Sequence, residues 1–275
     1  MSWLIEQYRR SAKGAREDSV GLVRLSPHSF YVGDLWVGVV LITTRDGILM
    51  IDSGITGQLP AIFDAVRALG YDPYKDIKLC LLSHAHCDHC SGMKQLQELA
   101  GPVVYMSELE KNWPGKAPCY AGLPEDIDPV APFTADRYYD GTLITLGDMC
   151  ILPVHTPGHS IGTHSFFYTD TDEAGRTYQV ALHGGLGLNT LADGCFTDRE
   201  AALAMRGIYR QSAESLLDRE VDITITNHGG NINLGGKLGT DRMDFAPFVD
   251  KSLWRRHIEN KLRQLDELER NSIYI

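Results

Sequence analysis

The chain has 275 residues, 43% of them hydrophobic and 23% charged, which excludes global disorder. Its 26 Lys and Arg against 36 Asp and Glu leave a formal charge of −10 with no basic run, so neither nucleic acid nor an anionic membrane surface is expected as a partner. No apolar stretch approaches the roughly 18 residues of a membrane span. The N-terminus, with Glu6, Arg9, Arg10 and Lys13, lacks the apolar core of a secretory signal. Six cysteines are too sparse for a disulfide scaffold, so reduced thiols and a cytoplasmic location are expected.

Residues 2–18 read as a short helix with Trp3, Leu4 and Tyr8 on one side, and a helical extension is expected over 1–25. Trp36 to Thr43 and Ile48 to Asp52 are apolar runs separated by Arg45-Asp46-Gly47, the pattern of a β-hairpin. Ala61 to Leu69 has helical spacing closed by Gly70. Lys78 to Leu82 reads as a buried strand, Gly92 to Ala100 as a second helix and Val103 to Met106 as another strand. This alternation is that of an α/β layer. Pro114, Pro118, Pro124, Pro129 and Pro132 break the rhythm of 107–140, and Trp113 and Tyr120 suit an ordered lid. Strands return at Thr142 to Leu146, Cys150 to Val154, His164 to Tyr168 and Tyr178 to Leu182. Thr197 with Glu200 three residues on reads as a capping box opening a helix through Leu217. After the strand Asp222 to Thr226, an amphipathic helix is expected over 246–270, with Trp254, Ile258, Leu262 and Leu265 on one face. The whole reads as one domain over 1–275, two similar halves packed as a sandwich with helices outside.

The segment His84-Ala85-His86-Cys87-Asp88-His89 places three imidazoles and a carboxylate in six residues, directly after an apolar strand. These groups are good zinc ligands. Alternate residues of extended chain share a side, so His84 and His86 suit one ion, and Asp88 and His89 on the following turn suit another. Further ligands should come from other strand ends. His159, in Thr156-Pro157-Gly158-His159, and His228, in Asn227-His228-Gly229-Gly230, both follow buried strands.

Asp52-Ser53-Gly54, the His84 to His89 segment, the Thr156 to His159 turn and His228, in that order, resemble the ordered motifs of the metallo-β-lactamase superfamily. The resemblance covers roughly residues 28–240. Tyr31 to Asp34, Leu41 to Thr44, Asp136-Arg137 and Gly141 are most similar to the third subclass of metallo-β-lactamases. The resemblance implies an α/β fold of the αββα sandwich type and two Zn²⁺ per chain. One would be held by His84, His86 and His159, the other by Asp88, His89 and His228, with Asp52 orienting the ligand loop. Many superfamily hydrolases carry a bridging Asp after the strand that here ends at Leu182. This chain has His183-Gly184-Gly185 instead, with Gly185 at that position. The hydroxyl-bearing residues of the third subclass fall on Leu186 and Leu188, so a β-lactam is not expected as the physiological substrate. His183 reads as a substitute ligand, a substrate contact or a packed histidine.

The implied activity is hydrolysis of an amide, lactam, lactone or thioester-type bond in a small molecule by a metal-activated hydroxide, with Asp88 orienting it. β-Lactamase proper and a redox di-iron protein of the same fold are the alternatives. Trp113 in the lid, with Leu186 and Leu188, would meet the substrate. The C-terminal helix offers a surface for self-association. Cys87-Asp88-His89-Cys90 lacks a second C-x-x-C for a zinc knuckle. No G-x-S-x-G is present for a serine hydrolase, and Gly184 to Gly187 is too short for a dinucleotide fingerprint. His28, His155, His164 and His257 complete no ligand set.

Overall fold

The computed structural model describes residues 19–112 and 131–274. Two sheets lie face to face. The first contains β1 (Ser19–Arg24), β2 (Ser29–Asp34), β3 (Gly38–Thr44), β4 (Gly47–Ile51), β5 (Ile77–Leu81), β6 (Val103–Met106) and β7 (Arg137–Tyr138), in that spatial order. The second runs β12-β11-β10-β9-β8, with β8 (Ile144–Leu146), β9 (Met149–His155), β10 (His164–Thr171), β11 (Thr177–Leu182) and β12 (Ile223–Ile225). The β1–β4 meander is antiparallel, and β4 to β7 are parallel. In the second sheet only β11 and β12 are parallel.

The unbroken apolar runs of β3 and β4 follow from burial on both faces. Val40, Ile42, Leu49 and Ile51 point into the core between the sheets, where they meet Ile151, Phe166, Val180 and Ile223. The alternate residues Val39, Leu41, Ile48 and Met50 meet α1 (Leu59–Ala68) and α2 (Met93–Leu99) through Ile62, Val66, Met93 and Leu96. The outer face of the second sheet is covered by α3 (Arg199–Ser215) and α4 (Leu253–Arg270) through Tyr209, Ala213, Trp254 and Ile258. The result is the expected αββα sandwich.

Three expectations change. Residues 19–24 form β1 rather than the end of a helix, because their backbone completes an edge by pairing with β2. The cap of α3 is Asp198, whose carboxylate accepts from Ala201 N–H at 2.9 Å, rather than Thr197. The C-terminal helix starts at Leu253, after a 3₁₀ turn at Ala246–Phe248. Its residues Trp254, Ile258 and Leu265 are buried inside the chain. The N-terminal helix at 2–18 and the lid anchors Trp113 and Tyr120 lie outside the described residues. Among the described residues, no helix is long and apolar enough to cross a membrane.

Candidate metal centre

The chemistry-bearing residues gather at one edge of the sandwich because each follows the end of a strand. Asp52 follows β4, His84 and His86 follow β5, and Asp88 and His89 sit on the helical turn Cys87–Cys90. His159 lies between β9 and β10, and His228 lies just past β12. The structure brings them into two groups, His84 with His86 and His159, and Asp88 with His89 and His228. Within each, the ligand atoms lie within 4.8 Å of one another. His89 Nε2 and His228 Nε2 are 3.1 Å apart, and both lie 3.5–3.6 Å from Asp88 Oδ2. His84 Nε2 is 3.0 Å from His86 Nδ1. Tetrahedral bonds of about 2.0–2.2 Å place neighbouring ligands roughly 3.3–3.6 Å apart, so both groups fit one divalent cation each.

Hydrogen bonds on the far side of the rings fix which nitrogen faces inward. His228 Nδ1 donates to Trp36 O at 2.7 Å, and His159 Nδ1 donates to Gly187 O at 2.8 Å. His89 Nδ1 is 2.5 Å from Asp52 Oδ2. His84 Nδ1 is 3.0 Å from Ser83 Oγ, which itself donates to Asp52 at 2.7 Å. Asp52 also accepts from Ser83 N–H at 2.6 Å and from the Asn227 side-chain amide. It is fully buried with φ of +63°, a left-handed backbone that a non-glycine residue rarely adopts. Its four partners hold it there.

The charges say what is missing from protein atoms alone. Asp52, Asp88 and Glu110 are all buried, and no lysine or arginine among the described residues pairs with them. Asp88 Oδ1 has no hydrogen-bond partner. Burial, then the neighbouring histidines, pushes His84 and His86 well below the usual imidazole range. Burial lowers His159 to about 4 and also lowers His228. Burial opposes protonation of His89 as well, but Asp88 and Asp52 more than offset it and raise its pKa. In the metal-free chain Asp88 and Asp52 favour the protonated form of His89, and the buried carboxylate beside the convergent imidazoles makes a donor set that suits a cation.

Several site residues were not legible beforehand. Glu110, read as part of the lid, is buried and accepts from Ala85 N–H at 2.7 Å and Gly162 N–H at 3.2 Å. The carbonyls of Trp36 and Gly187 carry no side-chain signal at all. Other expected residues fall elsewhere. His183 is turned toward α4, near Trp254, and Gly185 N–H donates to its Nδ1 at 3.2 Å. Its nitrogens are not among the convergent ligand atoms. Leu188 is partly buried against the cluster that contains Leu191, Tyr209 and Ala213, and Leu186 is buried. The glycines between them face the metal ligands. A Cβ on Gly185 would lie 2.5 Å from His159 Cδ2, and one on Gly187 would lie 3.1 Å from His159 Cε1. The His159 ring therefore occupies the space a bridging carboxylate at 185 would need. Cys80, Cys87 and Cys90 are buried.

The sequence profile of the metallo-beta-lactamase superfamily matches residues 37–172. A probable metallo-hydrolase of Bacillus subtilis, YqgX, is 30% identical over 169 residues, 59% of this chain and 74% of that protein. The chain belongs to the metallo-β-lactamase superfamily. Native FEZ-1 metallo-beta-lactamase from Legionella gormanii is 25% identical with a TM-score of 0.78, covering 92% of this chain and 97% of that one. BJP-1, a subclass B3 metallo-beta-lactamase of Bradyrhizobium japonicum, shares the fold at 22% identity and a TM-score of 0.76, covering 90% of this chain and 93% of that one.

Proposed function

We propose that the protein is a zinc-dependent hydrolase of amide, lactam, lactone or thioester-type bonds. The observation that carries this reading is the pair of facing ligand triads, with imidazole tautomers set by Asp52, Ser83, Trp36 and Gly187. Two divalent cations held by His84, His86 and His159 and by Asp88, His89 and His228 would supply an acidified water and a Lewis acid for the electrophile. Asp88 would do two jobs with two oxygens. Oδ2 belongs to the ligand triangle, while the buried, unpartnered Oδ1 is placed to accept a hydrogen bond from the attacking water and so orient it. The edge near His228 is apolar: Trp36 lies 6.2 Å from that ring, and Leu35 is 47% exposed. A substrate with a neutral, apolar group on that side suits this wall.

A β-lactamase proper is the second reading. It is favoured by the likeness to FEZ-1 along nearly the whole chain and by the missing carboxylate at Gly185. Against it, residues 184–188 (Gly184, Gly185, Leu186, Gly187, Leu188) offer no hydroxyl to a lactam carboxylate, and a charged hydrogen bond of that kind is worth about 1.5–3 kcal/mol. A redox di-iron reading needs more carboxylate ligands than the single one in the two triads. Metal analysis together with kcat/KM for penicillins, cephalosporins and carbapenems against lactones and thioesters tests these readings. Two zinc ions with the higher values on lactones or thioesters are expected. Lactam values at or above about 10⁴ M⁻¹s⁻¹ would establish the second reading instead.

A further inference from the structure

We propose that Glu110 is a positioning residue that ties the two loops of the all-histidine site together and places a buried carboxylate behind it. The inference rests on the metal-binding reading above. The His84, His86 and His159 group contains no carboxylate, so a cation there meets only neutral ligands. Glu110, 1% exposed, stands behind both of its loops. Oε2 accepts from the N–H of Ala85, the residue between His84 and His86, at 2.7 Å. Oε1 accepts from the N–H of Gly162, on the His159 loop, at 3.2 Å, and the Ser160 hydroxyl is a further partner.

The fit is close enough to dictate the residue opposite. A Cβ on Gly162 would lie 2.6 Å from Glu110 Cγ and 2.7 Å from its Cδ, so a glycine there admits the carboxylate. One side chain from the β6 side thereby sets the spacing between ligands far apart in sequence. A carboxylate accepting backbone N–H groups is acceptor-only, and here no lysine or arginine among the described residues pairs with it. Burial raises its pKa while the N–H and hydroxyl donors favour the ionised form, which would add negative charge behind the two loops. Asp52 plays the corresponding part for the other triad through His89.

The test is titration of the purified apo chain with Zn²⁺ against a chromophoric chelator, and with Co²⁺ by visible absorption. Wild type, Glu110→Gln and Glu110→Asp are compared, with apo melting curves alongside. Wild type is expected to take two ions. Glu110→Gln has the same shape but no charge, and turns one N–H toward another. It is expected to weaken one ion by about 10–100-fold and shift that ion's cobalt spectrum, while Glu110→Asp recovers part of the loss. In a His159→Ala background the same change should alter the remaining ion by no more than about twofold, the usual limit for independent sites. Unchanged affinities and spectra in Glu110→Gln overturn the proposal. So does equal weakening of both ions with a lowered apo melting temperature, since that marks a general packing role. A wild-type chain that takes up no ion overturns the metal reading itself, an outcome distinguishable from failure of Glu110 alone.

Discussion

The two ligand triads carry their charge in different places. Asp88, His89 and His228 hold a carboxylate among the ligands, with Asp52 directly behind His89. His84, His86 and His159 hold none, and the buried Glu110 reaches their two loops through backbone N–H groups and the Ser160 hydroxyl. Asp52 serves both sides, because Ser83 relays it to His84. One fold edge thus builds a compact, locally charged site beside a neutral-ligand site assembled from two distant loops. The contrast teaches that ligand identity alone does not describe a metal site, since the carboxylate that balances it can sit outside the ligand set.

The largest way to break this comparison is His84→Ala. It should abolish turnover, a loss of at least about 10³-fold or ~4 kcal/mol, and leave fewer than two ions by elemental analysis. Wild-type rate with two zincs would contradict the assignment. Next is Asp52→Asn, which removes the charge shared by both triads. It should weaken both ions, by about 10–100-fold where His89 is involved, whereas Glu110→Gln weakens one. Calorimetric titration separates the two patterns.

Gly185→Ala should act on the all-histidine site alone, because the new methyl would press on His159 Cδ2 at 2.5 Å. A loss of about tenfold or more in the affinity of one ion is expected, in line with displaced metal-site positioning. Gly230→Ala, which meets nothing within 4 Å, is the matched control and should leave both ions in place.

A separate expectation concerns the acid stability of the metal-free chain. Burial holds His183 at about 3 and His164 at about 4, against an ordinary 6.5. The unfolded chain therefore binds protons that the folded chain refuses as pH falls from 6.5 toward 4, and stability falls with it. At pH 5 the cost is about 1–2 kcal/mol for each histidine. His257 on α4, then His159, then Lys261 on α4 oppose its protonation further. Urea midpoints at pH 7 and pH 5 measure the difference, and His183→Asn should reduce it. An unchanged difference would remove His183 from the account.

The dense segment from His84 to His89 was legible because its ligands are neighbours in the chain and the strand before them has a clear apolar pattern. His159 and His228 were legible only in company, as histidines in turns after strands. The hairpin of β3 and β4 was likewise marked by its turn, while β1 was not, since an edge strand is defined by its partner rather than by its own pattern. Counting along a loop does not say which way each side chain turns, and the glycines at 185 and 187 let the backbone itself approach His159.

By itself the sequence pointed to a sandwich with helices outside, through apolar periodicity and element order, and to six candidate ligands, through residue type, spacing and the resemblance of the ordered motifs to the superfamily. Only the tertiary structure decided what stands behind them. Glu110, Ser83, Asn227 and the carbonyls of Trp36 and Gly187 reach the centre through hydrogen bonds between segments distant in the chain. A hydrogen bond depends on the position of two atoms within a few tenths of an ångström, and no local pattern of residues encodes that.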